Sequence, residues 1–180
     1  MEEFSYGSRT GRGFSIIELL VALAVISIFL LNVVPNLNPI IAQERSAVLT
    51  NNIAGALAYA RTESIMKQIN IVTCQSNNGS DCNESPNWHN GWIIFVDDNS
   101  NEQRDAGEQI LRIYPATTNG TRATFWKYYV KYKPNGRSYP NGSFLICNPT
   151  IGIGKALIMF HTGRLRLSET QTNGSAITCI

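Results

Sequence analysis

Two arginines, Arg164 and Arg166, stand at i and i+2 behind Gly163 in this chain of 180 residues. On a strand that spacing sends both side chains to one face, and a glycine after Thr162 suits a tight turn at the strand's start. A guanidinium can hold a phosphate with two parallel hydrogen bonds, so the pair is a candidate anion grip. Lys133 and Arg137 flank Pro134-Asn135-Gly136, a second turn signal. Across residues 123–133, strand alternation puts Lys127, Tyr129, Lys131 and Lys133 on one face and Tyr128, Val130 and Tyr132 on the other. Basic groups interleaved with aromatics can hold phosphates and offer stacking surfaces. A solvated outer sheet face carries the same pattern.

Charge is sorted along the chain although the formal net value is only +2. From Asp81 to Glu108 there are seven acidic residues and one basic residue, Arg104. From Arg112 to Arg166 there are nine basic residues and no acidic one. The C-terminal half is therefore expected to be electropositive, with phosphate-bearing partners the natural match.

Other chemistry has less support. Asp97, Asn99, Asn101, Asp105 and Glu108 fall at positions 1, 3, 5, 9 and 12 of a calcium-type loop. Against this, Glu102 takes the position that needs glycine, Arg104 would sit beside the ion, and the flanks read as strands. A polar hairpin turn with local Asx hydrogen bonds fits better. His89 and His161 are the only histidines and have no ligand-like spacing. Without a nucleophile motif, nothing assembles an active site, so neither enzymatic activity nor a cofactor or metal is expected.

The elements that must position these residues begin with an apolar run. Residues 14–34 hold one charge, Glu18, in 21 positions. As a helix the run would rise about 32 Å, enough for a bilayer core. A carboxylate in lipid costs about 2.5–3.5 kcal/mol, so Glu18 needs a partner. Pro35 and Pro39 predict a kink or local melting near residues 36–38. To residue 67 the pattern is amphipathic, with Val48, Leu49, Ile53, Ala56, Leu57, Ala60 and Ile65 near one stripe. Strands are expected at 69–74, 91–97, 109–114, 123–133, 143–147, 156–161 and 164–168, the second apolar on both faces and so interior.

Four cysteines follow the apolar anchor, in what should be an oxidising compartment, and an even count favours two disulfides. Of three connectivities the preferred one is Cys74 with Cys82 and Cys147 with Cys179. Loop closure makes these worth roughly 2.5 and nearly 4 kcal/mol.

Gly13-Phe14-Ser15-Ile16-Ile17-Glu18 resembles the class III signal of type IV pilins and pseudopilins. The resemblance implies an α+β pilin fold, a long N-terminal helix packed on an antiparallel β-sheet domain. It divides the chain into a leader at 1–13, a transmembrane helix at 14–35, an amphipathic continuation at 36–67 and a β-rich domain at 68–180. It further implies cleavage after Gly13 by a prepilin peptidase, N-methylation of Phe14, and pairing of Glu18 with a neighbouring subunit's terminal amine. The chain would sit in the inner membrane before assembly and then in a pilus, its domain periplasmic or extracellular. Residues 91–97 with Ala106-Gly107-Glu108, Tyr132-Lys133-Pro134-Asn135-Gly136-Arg137 and Thr162-Gly163-Arg164-Leu165-Arg166 resemble the GspH/FimT branch. Its FimT-type members bind DNA in natural transformation through a Gly-Arg-x-Arg motif. That implies double-stranded DNA at Arg164 and Arg166, with Arg137, Lys133 and Lys131 beside them. Other members, GspH-like and FimU-like, prime assembly of a pilus or secretion pseudopilus, which is the alternative role.

Overall fold

Helix α1, Ile16–Lys67, leads the chain in the computed structural model. The structure describes residues 13–117, 120–152, 154–170, 174, 175, 177 and 179, with the side chains of 31–37 not described. The leader at 1–12 thus lies outside the described residues. The chain divides into two units, Met1–Asn38 and Pro39–Ile180, and α1 has residues in both. Pro35 and Pro39 do not end the helix, so the local melting expected there is not seen. It stops at Gln68, whose backbone turns left-handed (φ 58°) and whose side-chain amide returns to the Ile65 carbonyl at 2.6 Å. Among the described residues no helix is long and apolar enough to cross a membrane.

Within Pro39–Ile180 one face of α1 is sunk in the protein. Ala42, Ser46, Leu49, Thr50, Ile53, Ala56, Leu57, Ala60 and Ser64 are buried. Three of these are hydroxyl residues that the apolar stripe alone would not predict. Ser46, Thr50 and Ser64 satisfy themselves on the carbonyls of Ala42, Ser46 and Arg61, so their burial leaves no donor unpaired. Val48 and Ile65, counted in the stripe from sequence, are 54% and 42% exposed.

Two antiparallel sheets share this helix. The first has five strands in the order β3-β2-β1-β5-β6, with β1 Ile71–Gln75, β2 Trp92–Val96, β3 Ile110–Tyr114, β5 Tyr129–Tyr132 and β6 Ser138–Tyr139. The second has β4-β7-β8-β9, with β4 Arg122–Thr124, β7 Gly142–Cys147, β8 Gly154–Met159 and β9 Leu165–Ser168. Leu49, Ile53 and Leu57 pack in one core with Ile94 and Tyr132 from the first sheet and Phe144 and Leu157 from the second. Strand β2 is interior and buried on both faces: Trp92, Ile94 and Val96 enter this core, while Ile93 and Phe95 enter a cluster on the far face.

The single strand expected at 123–133 is two strands in different sheets. Chain 125–128 crosses between them, and the core-facing positions change from Ala123 and Phe125 to Val130 and Tyr132. The far face of the first sheet is not the solvated surface that alternation suggested. There Val72, Cys74, Ile93, Phe95 and Tyr129 are covered, with Cys82, Ile110 and Tyr128 packed on them. Both expected disulfides, Cys74–Cys82 and Cys147–Cys179, are formed.

A trio of rings marks the centre of the shared core. Phe144 is wholly buried, stacks on Phe125 at 4.3 Å and meets the edge of Trp88 at 4.9 Å. Phe144→Ala should cost about 3–5 kcal/mol in urea unfolding. A loss below about 1 kcal/mol would mean that the trio is not a centre of the shared core.

Candidate functional site

Two hairpin turns with the same backbone build meet at one corner of the domain. In the first, Lys133 N–H donates to Arg137 O at 2.9 Å and Gly136 N–H donates to Lys133 O at 2.8 Å. In the second, Phe160 N–H donates to Arg164 O at 2.9 Å and Gly163 N–H donates to Phe160 O at 2.8 Å. Each turn ends in Gly-Arg, and the glycines are left-handed at φ 73° and 77°. This is the three-residue hairpin in which only glycine sits without strain before the strand resumes.

The turns are fused backbone to backbone. A Cβ on Gly163 would overlap the Gly136 carbonyl oxygen and lie 3.2 Å from the Tyr132 ring. Ser138, on edge strand β6, donates its N–H to His161 O at 3.2 Å and its hydroxyl to Phe160 O at 2.8 Å. An edge of the first sheet is thereby joined to the β8–β9 turn of the second. From α1, Arg61 donates Nε to Gly136 O at 3.1 Å and Nη2 to Thr162 O at 3.0 Å. The Ser64 hydroxyl, whose proton goes to Arg61 O at 2.8 Å, also lies 3.2 Å from Lys133 O, a shared bond at most. One guanidinium therefore clips both turns to the helix.

This clip faces inward and leaves the other cations outside. Gly136 and Gly163 are buried, whereas Lys133, Arg137, His161, Arg164 and Arg166 are exposed. Among the described residues no carboxylate lies in salt-bridge range of Lys133, Arg137, Arg164 or Arg166. Arg164 and Arg166 line one concavity of about 340 Å³ with Phe160, Thr162 and Leu165. Lys133 and Arg137 line another of about 290 Å³ with Asn135, Ser138, Tyr139 and His161. Four of the five basic residues singled out from sequence thus gather around the two turns.

Lys131 does not join them. It lies on the covered face of β5, only 8% exposed, paired with Glu102 and 3.9 Å from Asp97 Oδ2. Its ammonium also donates to Ser100 O at 3.4 Å. Burial pushes the Asp97 carboxyl up from its usual range; Lys131 opposes that shift and Glu108 adds to it. The loop at 97–108 is tied by Asx and Glx bonds, among them Asn101 N–H to Asp97 Oδ1 and Asp98 N–H to Glu108 Oε1. Lys131 is thus an internal counter-ion for this loop. No group of three or more His, Cys, Asp or Glu side chains suited to a metal occurs among the described residues.

Gly13 and Phe14 precede α1 and are exposed, Phe14 to 84%, and Glu18 is exposed in the helix's first turn. The family model for type II transport protein GspH matches residues 49–172, more than half of the chain. The chain belongs to the GspH family. A prokaryotic N-terminal methylation motif matches residues 8–31, which places Gly13, Phe14 and Glu18 inside the signature of a pilus-associated protein. The fold is similar to that of the type IV minor pilin FimU of Pseudomonas aeruginosa strain PAO1. One crystal form, P21, aligns with TM-score 0.56 and 19% identity over 70% of this chain and 90% of that one. Another, P65, aligns with TM-score 0.51 and 23% identity over 69% and 91%. No curated protein matches the chain.

Within this GspH-family domain, sequence reasoning missed Arg61, Ser64, Tyr139 and Phe160. Arg61 reads as an ordinary polar-face residue because its partners are carbonyls 75 and 101 positions away. The repeated Gly-Arg at the ends of two turns was the available signal that both belong to one site. If Arg61 holds them together, Arg61→Met should lower stability by about 2 kcal/mol, the scale of charged hydrogen bonds lost. Amide exchange should rise at Gly136 and Gly163 and stay unchanged in β1 and β2. Unchanged exchange at the two glycines would show that the turns hold each other without the clip.

Proposed function

We propose that this chain is a minor type IV pilin that captures double-stranded DNA for uptake in natural transformation. The observation that carries the reading is the fused pair of Gly-Arg turns. It presents Lys133, Arg137, Arg164 and Arg166 from one corner with no carboxylate in range among the described residues. Phosphates would be gripped by bidentate guanidinium bonds, and nothing in this arrangement selects a base sequence. The role is one of binding and assembly, without enzymatic chemistry or a cofactor.

The N-terminal signal supplies the rest. Prepilin peptidase would cut after Gly13, and Phe14 would become the methylated terminus. Residues 14–34 would hold the subunit in the inner membrane until assembly into the pilus, with the domain periplasmic and then extracellular. Glu18 would there meet the amine of a neighbouring subunit, the partner that a carboxylate in lipid requires. A second reading, an assembly-priming subunit of a pilus or secretion pseudopilus, is favoured by a different observation. Ile40, Ile41 and Val48 on α1 are 56%, 45% and 54% exposed, and contact with other pilins would bury them.

Two measurements test these readings. Titrating the protein with a short duplex should give binding that falls with salt at a log–log slope of about −3 to −4, as expected for some four phosphates. The Arg164→Gln/Arg166→Gln variant should stay folded and lose that binding; equal binding by the variant, or none by the parent at low salt, would leave the assembly role. Intact mass of the protein from assembled pili should correspond to a chain beginning at Phe14 with one added methyl group. Recovery of the unprocessed mass would overturn the processing scheme.

A further inference from the structure

Each of the two concavities at the turns holds the same three chemical parts: an exposed aromatic ring and two cations. Phe160 is 43% exposed beside Arg164 and Arg166, and Tyr139 is 47% exposed beside Lys133 and Arg137. Rings this exposed add nothing to phosphate capture. They are also peripheral to the core, since neither ring belongs to a buried cluster. The Arg166 guanidinium lies 6.0 Å from the centre of the Phe160 ring, so ring and cation are presented together.

Double-stranded DNA offers such a site only its phosphates, because its bases are stacked inside and their faces are closed. An unpaired strand offers both parts at once: a phosphate for the cations and a base face for the ring. Resting on the DNA reading above, we propose that the two turns form a pair of nucleotide seats, so that the surface that captures duplex holds unpaired ends and single-stranded stretches of DNA more tightly still. Phe160 and Tyr139 take base faces, and Lys133, Arg137, Arg164 and Arg166 hold the phosphates between them. Either ring can be changed without breaking the turn pair. The bonds that Phe160 makes there are to its backbone N–H and carbonyl, and Tyr139 pairs with Lys131 through the β5–β6 ladder.

The test is fluorescence anisotropy with the full chain in detergent, using labelled oligothymidine of about 12 nucleotides, within the usual range of single-strand site sizes, and a duplex of equal length. Oligothymidine should bind more tightly than duplex. Phe160→Ala/Tyr139→Ala should weaken it about 10- to 100-fold, as base–ring stacking energies imply, and should lower duplex affinity by a much smaller factor. Phe160→Leu/Tyr139→Leu, which keeps apolar bulk without a ring, should behave like the alanine variant, and Phe160→Trp should retain single-strand affinity. Duplex binding as tight as oligothymidine, or oligothymidine binding indifferent to loss of both rings, overturns the preference while leaving phosphate capture standing. Absence of binding to either probe at low salt overturns this proposal together with the DNA reading.

Discussion

Both sheets pack on one face of α1, and that shared contact is the constraint from which the rest of the domain follows. A helix can serve two sheets only if its buried stripe is wide and its side chains are short where they converge. Ala56 and Ala60 meet that demand together with the back-bonded hydroxyls of Ser46, Thr50 and Ser64. Because the sheets do not pair through a common strand, they meet at their corners, and one such corner is where β6 touches the β8–β9 turn. The basic surface thus arises where two independently hydrogen-bonded layers are tied together.

That origin explains why its electrostatics are arranged in two tiers. Inward-facing cations are fully engaged: Arg61 on two carbonyls, Lys131 on the carboxylates of the 97–108 loop. Arg112, on edge strand β3, lies with its guanidinium 4.0 Å from the centre of the Tyr59 ring. At the turn pair, Lys133, Arg137, Arg164 and Arg166 have no carboxylate in range among the described residues, so their charge remains available. A count of basic residues in the sequence mixes the two tiers; burial separates them.

Much of this was legible from the residues. The cysteine pairing, the interior β2, the end of α1 near Lys67 and the two turn signals all follow from local chemistry. The split of 123–133 was harder, because Phe125, Trp126 and Tyr128 keep β character through the crossing while the core-facing parity slips from odd to even positions. Lys131 was misplaced for a related reason: alternation tells which face a side chain takes, but not that loops anchored by Cys74–Cys82 and Glu108 will cover that face. Arg61 carried no local mark at all, since its partners are main-chain atoms brought close only by the finished fold.

Because the turn pair is built mostly from main-chain bonds and two glycines, side chains at Lys133, Arg137 and Thr162 contribute little to holding it together. Those positions can change with small effects on the scaffold, so ligand preference and foldability are set by different residues. A lineage could drift from one polyanion to another, or abandon nucleic acid for a protein neighbour, by substitutions confined to this rim. Related chains sharing the same corner and the same clip should therefore be able to serve dissimilar partners.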